Sequence, residues 1–196
     1  MLNHPALLIL STGLLYILGF GGLSLLRRQG LSTRFAVEGL VVSLIGVALT
    51  WVFPRFPPLL FLILLYLITM RVRLLVDLAN TLLGRKRYRQ AMAVYRIALR
   101  LWPDRVSRQI VLINRGVAEL RAAEPATAYA TLNEALADEE IKFGAHYMAA
   151  GYYNLGLAAR RIGREAEAIR RFNQAIDILP HSVYAQAAYR ALQEHS

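Results

Sequence analysis

One spacing of small and large side chains occurs three times after a long apolar N-terminal stretch. From Ala79, Gly116 and Gly156, successive steps of 12, 4 and 3 residues reach a small residue, a large one and a second small one. Small residues where two helices cross, with a large side chain filling the next gap, are typical of a repeated helical hairpin, so the spacing predicts an all-α solenoid. The repeat-packing positions are Ala79, Ala91, Tyr95, Ala98 and Pro103; Gly116, Ala128, Leu132 and Ala135; and Gly156, Ala168, Phe172, Ala175 and Pro180.

The last of these units resembles a repeat of the tetratricopeptide family. The unit at 72–105 fits nearly as well, with Ala79 in place of the usual glycine and its turn glycine, Gly84, two residues early. The unit at 109–142 fits less well, because Arg115 takes a normally apolar position and no proline closes it. The residues that carry the resemblance in the last unit are Tyr152, Leu155, Gly156, Gly163, Ala168, Phe172, Ala175 and Pro180.

The resemblance implies a repeat domain over residues 72–182 of about three helical hairpins. The repeats are expected near 72–105, 109–142 and 149–182, and residues 183–196 are expected to form a capping helix. Stacked repeats need such a helix, with a polar outer face, to close the last apolar surface.

Three apolar stretches precede the repeats and predict a transmembrane anchor over residues 1–71. Spans are expected near 6–26, 35–53 and 58–71, the third one short. A bilayer core about 30 Å thick needs about 20 helical residues, which only the first two stretches provide. Pro57 and Pro58 can begin a helix and no breaker follows, so the third helix is expected to run unbroken over 58–83 into the first repeat. A re-entrant or interfacial third helix is the alternative.

The distribution of arginine predicts the orientation of the anchor. The segment MLNHPALLIL carries no basic cluster, so the first stretch is expected to be retained rather than cleaved as a signal peptide. Arg27, Arg28 and Arg34 follow it and should lie on the cytoplasmic side. The chain is therefore expected to be an integral membrane protein with its N-terminus outside and the repeat domain in the cytoplasm.

Basic residues are concentrated after the anchor. The formal net charge is +10, and residues 71–110 contribute +8 of it, from ten basic and two acidic residues. Contact with anionic lipid headgroups explains such a cluster, whereas nucleic-acid binding needs aromatic residues interleaved on a soluble face. We therefore expect no nucleic-acid partner. The residues predicted at the membrane surface are Arg71, Arg73, Arg85, Lys86, Arg87 and Arg89.

No residue pattern in the sequence indicates catalysis. The chain has no cysteine and only four scattered histidines, which argues against thiol chemistry and metal binding. The glycines of GFGG at 19–22 lie within an apolar stretch, so they predict close helix packing rather than phosphate binding, with Gly39, Ser43 and Gly46 as a similar face on the second span. We predict no catalytic residue, no cofactor and no metal, and a protein that is not an enzyme.

By the resemblance, the first helix of each repeat lines a groove that binds a protein partner. The groove positions are mostly apolar, which suits an amphipathic helical segment. In the alternative, the groove is filled by the chain's own helices or by residues 182–193. The predicted groove residues are Asn80, Ile110, Ile113, Val117, Tyr153, Leu157 and Arg160.

These features together predict a non-catalytic membrane-anchored scaffold. Its expected role is that of an accessory subunit or assembly factor of a multisubunit membrane complex. Membrane-anchored tetratricopeptide proteins that assist photosynthetic or respiratory complexes are similar in architecture. The alternative is a small transport or signalling protein in which Glu38, the only acid of the membrane region, acts within the bilayer and the repeats regulate it.

Overall fold

The computed structural model describes residues 4–26, 33–138 and 144–194. Within these ranges the chain forms ten α-helices and no strand. The predicted all-α fold, with apolar helices near the N-terminus followed by helical repeats, is confirmed. The chain divides into two compact units, unit 1 (Met1–Leu74) and unit 2 (Leu75–Ser196). Arg27 and Arg28, on which the predicted orientation partly depends, lie outside the described residues.

Unit 1 contains three apolar helices, α1 (Pro5–Leu26), α2 (Thr33–Val52) and α3 (Pro58–Thr69). The first two have 22 and 20 residues, or about 33 and 30 Å at about 1.5 Å per residue. Both are long and apolar enough to cross a membrane. The third has 12 residues, or about 18 Å, so it is too short to cross as a straight helix by itself.

Small residues of α2 make close contacts with the other helices of unit 1. A Cβ atom added to Gly46 would lie 2.6 Å from the ring of Phe61 on α3, and one added to Gly39 would lie 2.8 Å from a side chain of α1. Ser43 is fully buried and faces Gly13 of α1. The small face that the sequence indicates on α2 is therefore occupied by helices of the same unit.

The predicted continuous helix over 58–83 is wrong, because the chain breaks at Met70. The next helix, α4 (Arg71–Gly84), begins directly after the break and is bent by 71° from α3. Met70 has φ −99° and ψ 8°, outside the α-helical region. The guanidinium of Arg71 stabilises the break by donating to a carbonyl oxygen at the end of α3 at 2.7 Å and to Glu38 of α2. No glycine or proline marks this break in the sequence.

Unit 2 contains the larger part of α4 and six further helices. Successive helices pack as hairpins, α6 with α7 and α8 with α9. The first helices of the last two repeats, α6 and α8, also contact one another, and α8 contacts the terminal helix α10, so these three helices form an inner layer. The six helices are α5 (Tyr88–Arg100), α6 (Arg105–Arg121), α7 (Pro125–Leu136), α8 (Ala145–Arg161), α9 (Glu165–Ile178) and α10 (Val183–Gln193).

The same backbone turn joins the two helices of every repeat. Lys86, Ala123 and Gly163 have positive φ values of 59°, 62° and 82°. The N–H group that follows each of them donates to the carbonyl oxygen five residues earlier, at 2.9–3.0 Å, which is the Schellman closure of a helix end. Gly84 is the last residue of α4, so Lys86 and not the predicted Gly84 forms the turn of the first repeat.

Candidate functional site

The repeated spacing places small residues where the helices of a hairpin cross. A Cβ atom added to Gly116 would lie 2.5 Å from Leu132, and one added to Gly156 would lie 2.6 Å from Phe172. Neither crossing therefore has room for a larger residue. The remaining positions of the spacing are buried at Ala79, Ala91, Tyr95 and Ala98, at Ala128 and Ala135, and at Ala168 and Ala175, whereas Pro103 is half-buried and Pro180 is exposed.

Tyr95 joins the two helices of the first repeat. Its side chain is fully buried, and its hydroxyl donates to Oδ1 of Asn80 at 2.5 Å. Burial raises the pKa of Tyr95 to about 12, although the charge of Arg121 acts in the opposite direction. The structure thus gives Asn80, a predicted groove residue on the exposed side of α4, a contact within its own hairpin.

The apolar groove residues differ in how much surface they retain. Ile113 is 2% exposed and packs towards Gly151 of α8. Leu157 packs against the cores of both the second and the third repeat. Ile110 and Val117 are half-buried on α6. The last two residues therefore keep surface that a partner can contact.

At the C-terminal end, α10 packs on the inner helix of the last repeat. The ring of Tyr153 lies 5.9 Å from Phe172 and 6.1 Å from Tyr184 of α10. Arg160 donates to the carbonyl oxygen of Ala191 at 2.8 Å, pairs with the first residue of α9, and lies 4.8 Å above the Phe172 ring. Two predicted groove residues, Tyr153 and Arg160, thus hold α10, which corresponds to the alternative in which the terminal helix fills this end of the groove.

The middle repeat contains a buried ion pair that sequence reasoning missed. Glu119 is 1% exposed, and Nε of Arg115 donates to its Oε1 at 2.8 Å. Its Oε2 is buried with no hydrogen-bond partner among the described residues. The pair lines a depression of about 290 Å³ together with Arg89 and Arg96 of α5. Arg115 departs from the apolar pattern because it neutralises this carboxylate, and the available signal was their i, i+4 spacing.

Glu167 joins the second helices of the last two repeats. The hydroxyl of Tyr129 donates to its carboxylate at 2.9 Å, and Arg171 donates at 3.3 Å. Burial acts to raise the pKa of Glu167, but these hydrogen bonds and the charges of Arg171 and Arg164 outweigh it, so the pKa lies below its usual range. The carboxylate is therefore ionised at neutral pH and has a structural role between the two helices.

Two arginines bind Glu38 in unit 1. Nε of Arg34, one turn earlier on α2, donates to Glu38 at 2.8 Å, and the guanidinium of Arg71 donates to both carboxylate oxygens at 2.6 and 2.9 Å. The second contact is bidentate, the strongest geometry for such a pair. Both oxygens of Glu38 are therefore engaged.

The predicted membrane-surface residues lie in two places. Arg71 and Arg73 belong to the C-terminal end of unit 1. The others surround the turn between α4 and α5, which we call the basic turn, and all of them are exposed. The basic turn comprises Arg85, Lys86, Arg87 and Arg89.

The described residues contain no group of three His, Cys, Asp or Glu side chains that could hold a metal ion. His146 contacts aromatic rings instead, at 6.0 Å from Tyr147 and 5.2 Å from Tyr184. These contacts account for this histidine without a ligand.

Stacked helical hairpins with small residues at the crossings and a terminal helix define a helical-repeat solenoid. The kind of repeat follows from comparison with known families, because residues 149–182 match the tetratricopeptide repeat. This segment is therefore a tetratricopeptide repeat, as the resemblance predicted. Repeats of this family generally mediate protein–protein interactions and are not catalytic. A comparison with curated proteins finds no match to the chain.

Proposed function

We propose that this protein is a non-catalytic, membrane-anchored scaffold that presents tetratricopeptide repeats to a protein partner within a multisubunit membrane complex. It serves there as an accessory subunit or as an assembly factor. The observation that carries the proposal is that one chain joins two helices long enough to cross a bilayer to a repeat of the protein-binding kind. Photosynthetic and respiratory complexes are the candidates that similar architectures suggest.

The outer surface of unit 1 supports anchoring in a membrane. Leu15, Leu18 and Leu59 are each 69% exposed, and large apolar side chains surround all three helices. Soluble proteins rarely expose contiguous apolar patches of more than a few hundred Å². Trp51 at the end of α2 is 81% exposed, and tryptophan is enriched where a membrane meets water.

The packing of α3 supports the orientation of the anchor. Phe61 lies against Gly46, and ten residues later Arg71 reaches Glu38, so α3 runs antiparallel to α2. Its C-terminal end therefore lies beside the beginning of α2, where Arg34 is located. Arginines from both chain segments meet at this one end, which the positive-inside rule assigns to the cytoplasm. The repeat unit then follows on the cytoplasmic side.

One face of α1 has open space at its small residues, which supports the proposal that another membrane helix packs there. A Cβ atom added to Gly19 or Gly22 would meet nothing within 4 Å, in contrast to the small residues of α2. Small residues allow helices to approach closely in a bilayer. These two glycines are therefore the positions at which a helix of a partner subunit would pack.

The hydrogen bonds of Glu38 support a structural role over the alternative transport or signalling function. A carboxylate that relays an ion or a proton must exchange partners, whereas this one accepts three hydrogen bonds from two arginines. Pairing of this kind offsets the cost of a charge near the bilayer. Glu38 therefore fits a residue that fixes α3 against α2.

Extraction of the tagged protein from its native membrane in mild detergent tests the scaffold proposal. We expect it to co-migrate with other subunits on a native gel, with mass spectrometry identifying them. Stoichiometric recovery with a mature complex indicates an accessory subunit, and recovery with incomplete complexes indicates an assembly factor. Migration of the protein alone would contradict the proposal.

A variant pair tests the groove in the same experiment. Val117→Glu places a charge on a half-buried groove position and should release the partner. Ile169→Glu is the matched control, because Ile169 is 42% exposed on α9, outside the inner layer. Equal loss of the partner in both variants would show that the groove does not bind it.

The basic turn is proposed to contact anionic lipid headgroups. Each basic residue near an anionic surface contributes about 1 kcal/mol, so each Gln replacement should weaken vesicle binding about fivefold. Co-sedimentation of residues 75–196 with anionic and with uncharged vesicles measures the effect. Binding that is equal for both vesicle types, or unchanged by salt, would contradict the proposal.

A further inference from the structure

The turn between α5 and α6 exposes a group of large apolar side chains. Trp102 is 80% exposed, more than any other large apolar residue described in unit 2, and Leu101 and Ile97 beside it are 37% and 48% exposed. Ile97 and Leu101 are four residues apart at the end of α5, so they lie on one side of the helix. We call residues 97–105 the tryptophan turn.

The backbone of Trp102 adopts a conformation that its side chain disfavours. Its φ is 48°, in the left-handed region that glycine and asparagine tolerate and that is an outlier for a bulky residue. Unlike Gly163, which has a positive φ and no side chain, this position holds the largest side chain available. A strained residue persists only where the surrounding structure holds it, and such residues cluster at functional sites.

The hydrogen bond between Tyr95 and Asn80 shows where the tryptophan turn lies along the first hairpin. The end of α5 at Arg100 is five residues beyond Tyr95, or about 7.5 Å along the helix at about 1.5 Å per residue, and Trp102 follows two residues later. Five residues back along α4 from Asn80 is Leu75, the first residue of unit 2. The tryptophan turn is therefore at the end of the hairpin where the chain enters unit 2, and the basic turn is at the opposite end.

Charged residues flank the exposed apolar side chains of the tryptophan turn. Arg100 ends α5 and Arg105 begins α6, and both are exposed. The nearest acid, Asp104, caps α6 by accepting from the backbone N–H of Ser107 at 2.8 Å. An apolar tip with cations beside it matches an anionic membrane surface, in which a tryptophan ring lies at headgroup depth and arginines bind phosphate.

We infer that the tryptophan turn docks onto the anionic lipid surface from which α4 emerges, with Trp102 inserted at the level of the headgroups. The inference rests on the proposed membrane anchoring, because Leu75, at this end of the hairpin, follows directly on the anchor in the chain. It adds an apolar contact at the entry end of unit 2, distinct from the charge contact proposed for the basic turn. A lipid surface is favoured over a protein occupant by the flanking arginines and by the chain connection to unit 1.

The two tryptophans of the chain allow a direct test, since Trp51 and Trp102 are the only ones in the sequence. The full chain is placed in nanodiscs of phosphatidylcholine and phosphatidylglycerol with acyl chains brominated near the headgroup. Trp51→Phe leaves Trp102 as the sole emitter, and Trp102→Phe leaves Trp51 as a reference in the anchor. We expect bromine to quench Trp102 to an extent comparable with Trp51, and less after Arg100→Gln and Arg105→Gln.

The outcomes separate this inference from the anchoring on which it rests. Quenching of Trp51 without quenching of Trp102 leaves the anchor in place and overturns the docking. Absence of quenching at both positions overturns the anchoring and the docking together. If Trp102 is shielded from aqueous acrylamide but unaffected by bromine, a protein or a second copy of the chain covers it, and the lipid assignment is wrong.

Discussion

Replacing Gly163 by alanine should destabilise the α8–α9 hairpin, and replacing Ala123 by glycine should stabilise the α6–α7 hairpin. Both residues occupy the same turn position, with φ values of 82° and 62°. A Cβ atom at Gly163 would meet nothing within 4 Å, so the effect of the substitution comes from the backbone and not from a clash.

The magnitude follows from two opposing contributions. The left-handed conformation costs a residue with a Cβ atom about 1–2 kcal/mol. Compared with glycine, alanine also lowers the conformational entropy of the unfolded chain, which stabilises the folded state by about 0.4–1 kcal/mol. The net loss for Gly163→Ala is therefore about 0.5–1 kcal/mol, and Ala123→Gly should gain a similar amount. The double variant should be nearly neutral, because distant sites are usually additive.

Hydrogen exchange of the full chain in detergent, followed by mass spectrometry, resolves the two hairpins. Protection of 145–178 should fall in Gly163→Ala, and protection of 105–136 should rise in Ala123→Gly. Gly84→Ala is the control, because Gly84 ends a helix and its added Cβ atom also meets nothing within 4 Å. Alanine there should be neutral or stabilising, by up to about 1 kcal/mol.

Two results would refute this reasoning. One is a loss of stability in Ala123→Gly, which would mean that the turn does not carry left-handed strain. The other is equal destabilisation by Gly163→Ala and Gly84→Ala, which would mean that glycine is needed at helix ends generally and not for a positive φ.

Three further predictions concern contacts within unit 2. Gly156→Ala should cost about 1–3 kcal/mol by overpacking against Phe172, and an unchanged melting temperature would contradict the close crossing. Arg115→Leu should cost about 3 kcal/mol because it leaves Glu119 buried and unpaired; adding Glu119→Leu should recover most of this in denaturant unfolding, and a purely additive double variant would disprove the coupling. The raised pKa of Tyr95 in the folded state means that its contribution is complete below pH 10 and is lost as the pH rises towards about 12. Circular dichroism across this pH range should show alkaline destabilisation of the original protein that is smaller in Tyr95→Phe. Identical profiles for the two proteins would contradict the predicted contribution of Tyr95.

The parts of the fold that depend on periodic patterns could be predicted from the sequence. The small residue at each helix crossing recurs at a fixed spacing, so Gly156 and Phe172 identify the last repeat from the sequence alone. The break at Met70 could not be found in this way, because no glycine or proline marks it and the contact that accompanies it joins Arg71 to Glu38 on another helix. Long-range side-chain contacts leave no local signal in the chain.

The candidate site was predictable to a smaller extent. Apolar groove positions such as Ile113 and Val117 look alike in sequence, yet one is buried between inner helices and the other keeps surface. The difference depends on the closeness of Ile113 to Gly151 of α8, in the next repeat, which spacing along one helix does not specify. Lys86 is a similar case, since lysine seldom adopts a positive φ and gives no indication of a turn.

The short third helix of unit 1 has a consequence for how the protein is made. At about 18 Å, α3 has too little apolar length to fix its own position in a bilayer. Phe61 against Gly46 and Arg71 against Glu38 hold it in place, and these contacts form only after all three helices have been synthesised. In the proposed membrane anchor, the position of α3 would therefore depend on packing within unit 1, in addition to the arginines at its C-terminal end. We expect a substitution at one of these contacts to affect the placement of the repeats without changing any of their residues.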